Sequence, residues 1–318
     1  MGAYREPRAR GDLARDGKGL FELPAWGATP ILVGDHIENA GNADCLRAAA
    51  AMFDWSCGFI GDAAVPGALR LTGDALARSG VPILAVENAG GAEDLFRFRP
   101  PDGPFAVIVG NERKGVSREL RRLADRVIQI PIRSAQLNCL NVAAAAAVAV
   151  DRLARHGGQI ATRGGRGGRD GDRPGVVFAG VDAAVELGSA LRSAACFGWT
   201  DVCVADRHGV WFDADRATQS LGRGAARRAR NSIRVHPVPA ATAFDEVCVI
   251  GTGDGEPLRR ADLARGPGQL VVLGDADAVD VAALASRVRR IRLDVAHGAH
   301  PFRLVASIAL AEIARQIG

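Results

Sequence analysis

Short apolar runs, most of them followed by a glycine- or asparagine-containing turn, recur along the chain. Pro30 to Val33, Cys57 to Ile60, Pro82 to Val86, Phe105 to Val109 and Val127 to Ile132 are too short for helices and read as buried strands. Helical spacing lies between them: Ala43 to Phe53, a basic segment that Ser117 opens as N-cap before Arg118-Glu119-Leu120, and an alanine-rich run from Val142. Strands alternating with helices at this spacing predict a mostly parallel α/β sheet.

The pattern stops at 156–174, HGGQIATRGGRGGRDGDRP, and then restarts. That stretch has no hydrophobic period and reads as a flexible linker, although an Arg/Gly run can also touch nucleic acid. After it, VVFAGVDAAVELGSALRSAACFGWTDVCVAD repeats the layout of ILVGDHIENAGNADCLRAAAAMFDWSCGFIGD. With a one-residue shift in the helix, Arg47 pairs with Arg192, Phe53 with Phe197 and Trp55 with Trp199. Further on, Leu270 to Leu273 with Gly274-Asp275 pairs with Ile108-Val109-Gly110-Asn111, and Ile291-Arg292-Leu293 with Ile130-Pro131-Ile132. Phe302 to Ile317 stands for the last helix. A repeat of about 145 residues means two copies of one domain. The expected organisation is an extension at 1–28, a first domain at 29–155, the linker at 156–174 and a second domain at 175–318.

Composition changes this picture little. The 318 residues are 48% hydrophobic and 24% charged, with room for two cores. The net charge of +4 permits a polyanionic partner, and it is carried almost wholly by arginine, since Lys18 and Lys114 are the only lysines. Six cysteines, at 45, 57, 139, 196, 203 and 248, form no CxxC pair and no zinc-ligand spacing. They read as buried thiols of a reducing, cytoplasmic protein, and no metal is expected. No stretch is long and apolar enough for a membrane helix.

The chemistry concentrates in two loops. Val109-Gly110-Asn111-Glu112-Arg113-Lys114-Gly115-Val116-Ser117 ends one strand, and Ile130-Pro131-Ile132 ends another, followed by Cys139-Leu140-Asn141-Val142. Such loops hold ligands through backbone groups where parallel strands end. In order and spacing they resemble the second and third motifs of the SpoU-type branch of the SPOUT RNA methyltransferases: a strand followed by Gly-Asn-Glu-x-x-Gly, and Ile-Pro-Met followed by Ser-Leu-Asn-Val. Ile stands here for Met and Cys for Ser. The family's first motif, Asn-x-Gly-x-x-x-Arg, is off its interval in the first half, where Asn39, Gly41 and Asn42 precede Arg47. In the second half Glu186-Leu187-Gly188-Ser189-Ala190-Leu191-Arg192 keeps the interval with Glu for Asn. Gly274-Asp275-Ala276-Asp277 and His300-Pro301-Phe302-Arg303 replace the other two motifs there.

The resemblance implies two tandem α/β-knot domains with deep trefoil knots, the second degenerate, packed as an intrachain pseudo-dimer, hence a monomer. It implies S-adenosylmethionine as cofactor and RNA (rRNA or tRNA) as substrate, methylated on a ribose 2′-oxygen. Val109, Gly110, Asn111, Ile130, Ile132, Leu140 and Val142 would hold the cofactor. Glu112 and Asn141 would orient polar groups at the site, or else cap helices. Arg47 and Arg192 both qualify as the first-motif arginine. A guanidinium is a poor base, so that residue is read as a phosphate clamp. Arg47 lies in the half with intact motifs, and Arg192 would make the site composite.

Two basic runs add phosphate-binding candidates: Arg118, Arg121, Arg122 and Arg126 on one helix, and Arg223, Arg227, Arg228, Arg230 and Arg234 in LGRGAARRARNSIRV. Arg118, Arg122, Arg223, Arg227 and Arg228 are the expected RNA contacts. Two rivals stay open: a catalytically inactive RNA-binding descendant of such an enzyme, and a small-molecule methyltransferase or dinucleotide-binding protein. The latter lacks a GxGxxG after its first strand.

Overall fold

Continuous apolar runs such as Ile31–Asp35 and Ala106–Val109 are buried at every residue, as strands of a parallel sheet covered on both faces should be. A computed structural model of the chain describes residues 29–61, 68–134, 137, 139–154, 173–227, 230–238, 244–263, 266–296 and 298–317. The expected extension at 1–28, nearly all of the linker and Arg228 lie outside the described residues. The described residues up to Pro131 form one unit with 145–154, and 132–144 form the other with 173–317.

The first unit contains β1 (Ile31–Asp35), α1 (Ala40–Ala51), β2 (Ser56–Ile60), β3 (Leu69–Leu71), α2 (Gly73–Arg78), β4 (Ile83–Val86), β5 (Glu93–Asp94), β6 (Ala106–Val109), α3 (Arg118–Leu123) and β7 (Arg126–Gln129). Helix α4 (Val142–Ala154) starts in the second unit and ends in the first. The sheet is parallel throughout, in the order β3-β2-β1-β6-β4-β7-β5. One face buries Val33, Ile83, Ile108, Leu76 and Leu120.

The second unit contains β8 (Gly175–Ala179), α5 (Ala184–Cys196), β9 (Asp201–Ala205), α6 (Arg216–Ala225), β10 (Arg234–Pro237), β11 (Glu246–Gly251), β12 (Glu256–Pro257), β13 (Gln269–Gly274), α7 (Val281–Leu284), β14 (Val288–Arg292) and α8 (Phe302–Ile317). Its parallel sheet runs β10-β9-β8-β13-β11-β14-β12, the same order as the first with each strand replaced by its counterpart. Even an edge ion pair recurs: Arg126 to Glu93 on β7 and β5, and Arg289 to Glu256 on β14 and β12.

The two units can be put in register from the backbone. His36 and Gly180 both take positive φ after the first strand, and both donate to the end of the next strand, at Ile60 and Ala205. Asp54 and Gly198 both take positive φ after the first helix, and Trp55 and Trp199 then donate back to Ala50 and Ala194. His36 and Gly180, Ala50 and Ala194, Asp54 and Gly198, and Trp55 and Trp199 are each 144 residues apart, so the helix carries no shift. This corrects the pairing of the arginines. Arg47 corresponds to buried Leu191, and Arg192 corresponds to Ala48. Arg47 is exposed on α1, whereas Arg192 is buried because α5 is covered at every residue from Leu187 to Cys196. A second correction concerns β14. Leu95 and Leu258 donate to Gln129 and Arg292, so Ile291 corresponds to Ile128 rather than Ile130.

Other boundaries differ by a few residues. Strand β7 ends at Gln129, leaving Ile130 to Ile132 in the loop, because Pro131 has no N–H for a ladder. Arg126 lies on that strand, not on the basic helix, which ends at Leu123. Arg234 lies on β10 and pairs with Asp201. Of the six thiols Cys45, Cys196 and Cys248 are buried; Cys57, Cys139 and Cys203 are half-buried, and none forms a disulfide. Among the described residues helix α6 has no counterpart in the first unit: the chain from β2 to β3 spans 61–68, whereas that from β9 to β10 spans 206–233.

Candidate functional site

The Gly-Asn-Glu turn after β6 is closed on itself. Asn111 and Gly115 exchange backbone hydrogen bonds of 3.0 and 2.9 Å, and the Asn111 side-chain oxygen accepts from the N–H groups of Arg113 and Lys114. Gly110 has to be glycine: a Cβ there would lie 2.0 Å from the Gly115 carbonyl carbon. The turn is tied to neighbouring strands by carboxylates that sequence reading had not singled out. Glu87 accepts from Val116 N–H at 2.7 Å, and buried Asp35 accepts from Ser117 N–H at 2.6 Å. Ser117 caps α3, as expected. Both carboxylates follow or end strands and carried no motif signal.

Glu112 reaches back to the start of α1. Its carboxylate accepts from the Asn42 side chain at 2.9 Å and from the backbone N–H groups of Glu38 and Asn39 at 3.2 Å. Burial pushes this carboxyl up, but the hydrogen bonds from Asn42 and from the N–H groups of Glu112, Glu38 and Asn39 outweigh it and hold it below the usual range. Asn42 is the counterpart of Glu186, the residue that begins the well-spaced first motif of the second half. An asparagine therefore stands at this position in the first unit, whereas the arginine six residues on stands in the second. Glu186 meanwhile accepts from the backbone N–H of Arg303 at 2.9 Å and from its guanidinium, capping α8. That pair explains the carboxylate in the second copy: it is neutralised internally.

The segment 132–144 is held by α5. Arg133 N–H donates to the Cys196 carbonyl at 2.9 Å. Arg192, with 7% of its surface exposed, donates from Nε to the Cys139 carbonyl at 2.8 Å and from Nη2 to the Leu140 carbonyl at 2.7 Å and to Cys139 Sγ at 3.2 Å. Arg227, just past α6, donates to the same sulfur at 3.4 Å. Burial first, and then the neighbouring charge of Arg227, lower the Arg192 pKa. Asn141 accepts from Ala143 N–H at 2.9 Å and so caps the start of α4. Leu140 and Val142 are buried, and Ile132 is half-buried.

The remaining candidates are placed as follows. Val109, Asn111 and Ile130 are buried in the first unit. Arg47 is exposed on α1, and its charge acts on the Cys57 thiol, which burial pushes up to about 12 against that pull. Arg118, Arg122 and Arg223 are exposed on α3 and α6. Arg192 is thus brought together with Leu140 and with Arg227, whereas Glu112 is brought together with Asn42. Among the described residues no group of His, Cys, Asp and Glu is arranged to hold a metal ion, and no helix is long and apolar enough to cross a membrane.

Residues 64–151 match the family model described as the SpoU rRNA Methylase family. Among solved structures the chain is similar to the SpoU methyltransferase AviRb from Streptomyces viridochromogenes in complex with the cofactor AdoMet. The identity is 22% over 43% of this chain and 62% of that one, with a TM-score of 0.37. It is also similar to an rRNA methyltransferase from Sinorhizobium meliloti, at 18% identity over 44% and 60% of the two chains with a TM-score of 0.38. A third, described as giving structural insights into the 2-OH methylation of C/U34 on tRNA, is 22% identical over 41% and 91%, with a TM-score of 0.35. The chain thus spans about three fifths of the length of the first two. No curated protein matches it.

Proposed function

We propose, from the SpoU-type methylase segment at 64–151, that the chain transfers methyl groups from S-adenosylmethionine to RNA, most specifically to a ribose 2′-oxygen of rRNA or tRNA. The observation that carries this reading is that the matched segment contains both the closed Gly-Asn-Glu turn and the loop clamped by Arg192. The residues present fit the cofactor in kind. Leu140 and Val142, at 8% and 9% exposure, and half-buried Ile132 are apolar walls beside a rigid peptide, which suits an adenosyl group.

S-Adenosylmethionine, when bound, supplies an activated methyl group. The roles left to the chain are positioning and electrostatics. Arg192 remains charged in its buried place and would orient a phosphate beside the acceptor ribose and stabilise charge developing on the 2′-oxygen. Asn141 and Glu112 hold their loops in shape through the caps described above. Arg118, Arg122 and Arg223 would take further phosphates. On the same reading each half is an α/β knot, only the first copy holds cofactor, and the chain is a cytoplasmic monomer with an internal pseudo-dimer; the shared strand order and the 144-residue register support the duplication. Calorimetric titration with S-adenosylmethionine should give one site per chain, and nucleoside mass spectrometry of incubated RNA should show a methyl on ribose.

One observation favours the inactive RNA-binding reading: the first copy has Ala48 where its own motif arginine would stand. RNA binding with no cofactor binding in the calorimeter would select it.

A further inference from the structure

Among the described residues helix α6 and the turn after it occur only in the second unit, and they bring a second arginine to the clamped loop. Arg227 takes a φ of +49°, a left-handed conformation that costs a non-glycine residue free energy. Glycines stand close by on the same helix, at 222 and 224, yet this position holds an arginine. The inserted helix is seated firmly enough to aim it: α6 crosses α5 where Gly188 and Gly222 meet, and a Cβ on Gly188 would lie 2.2 Å from the Gly222 carbonyl oxygen. Arg227 Nη1 and Arg192 Nη2 then converge on one atom, Cys139 Sγ, at 3.4 and 3.2 Å.

Two like charges this close repel, and one of them is buried. Among the described residues no carboxylate forms an ion pair with either. Arg192 directs Nε and Nη2 to the loop, and its Nη1 takes part in none of the described hydrogen bonds. An unneutralised guanidinium pair with spare donors is an arrangement completed by an anion that accepts from both.

We propose that Arg192 and Arg227 form a single two-guanidinium site for one backbone phosphate of the RNA. This deepens the proposed function and rests on its assignment of RNA as substrate. Arg192 belongs to the repeated fold, whereas Arg227 is contributed by the insertion, so the second copy supplies a phosphate-binding device that the first lacks.

The test is anisotropy titration of the full chain with labelled single-stranded RNA at salt concentrations between about 50 and 200 mM. Arg227→Gln should flatten the plot of log affinity against log salt by about 0.7, the release expected for one phosphate on a single strand. Arg227→Lys should keep the slope and weaken binding, because the charge stays and the fork is lost. Arg227→Gly should flatten the slope like Arg227→Gln while its melting temperature stays unchanged or rises, since glycine suits the left-handed position. An unchanged slope in both Arg227→Gln and Arg227→Gly overturns the site. So does a flattened slope accompanied by a lower melting temperature in Arg227→Gly, which would make the arginine a structural tie. Calorimetry with S-adenosylmethionine separates the other anion source: if Arg227→Gln weakens cofactor binding and leaves the RNA slope alone, the pair holds the cofactor carboxylate instead. Failure of methyl transfer in the wild type, with the Arg227-dependent slope intact, would count against the proposed function and leave the site standing.

Discussion

Arg192 donates from Nη2 to the carbonyl oxygen of Leu140 at 2.7 Å, across 52 residues of sequence. Through this bond and its partner at Cys139, the side chain that carries the proposed phosphate clamp also fixes the loop that carries the proposed cofactor walls. Arg192→Ala leaves two carbonyls without their charged donor and should cost about 2–4 kcal/mol of folding stability, read as a lower midpoint in urea. Arg192→Lys keeps charge without the fork, and should recover part of the stability while methyl transfer stays about 100-fold or more below wild type.

Arg47 is the control for that result. It is exposed, and its counterpart in the other copy is Leu191 rather than Arg192. Arg47→Ala should change stability by less than about 0.5 kcal/mol and leave methyl transfer near wild type. Loss of activity in Arg47→Ala with retention in Arg192→Lys would reverse the assignment.

These two arginines show where the sequence was legible and where it was not. The alternating strands, the Gly-Asn-Glu turn and the Ser117 cap were readable because each depends on local spacing or turn chemistry. The register of α1 was not, because alanine-rich helices align almost equally well one residue apart, and only the positive-φ residues at His36, Asp54, Gly180 and Gly198 fix the phase. The partners of the turn were also hidden. Asp35 and Glu87 lie 82 and 29 residues from the N–H groups they accept from, and contacts at that range leave no periodicity. Pairing Asn42 with Glu112 needed the same long-range information.

Glu112 should give stability an acid-side dependence. Its folded pKa lies below the usual carboxylate value, so its contribution is present above the unfolded pKa of about 4.3 and is lost as pH falls through the folded value. Glu112→Gln keeps the shape and removes the charge at the start of α1. It should lower stability by about 0.5–1 kcal/mol at pH 7, with the gap from wild type closing below about pH 4. A gap that stays constant from pH 7 to acid in thermal melts would contradict this role.

Cysteine reactivity checks the packing around α1 and α5. Burial pushes both Cys57 and Cys196 up to about 12, so neither carries much thiolate near neutral pH. Native chain treated with iodoacetamide at about pH 8 should leave both unmodified by peptide mass spectrometry, and both should react once the chain is unfolded in urea. Rapid native labelling of Cys196 would mean that the contact between α5 and the 132–144 segment opens.

The central claim is methyl transfer to RNA by the motif pair at Gly110 to Ser117 and Ile130 to Val142, and one measurement tests it most directly. Purified chain is incubated with RNA and S-adenosylmethionine tritiated on the methyl group, and the RNA is then precipitated, digested and counted. The account predicts label in ribose-methylated nucleosides with wild type and almost none with Arg192→Lys. No label in RNA from wild-type chain that is folded and supplied with total cellular RNA would contradict it.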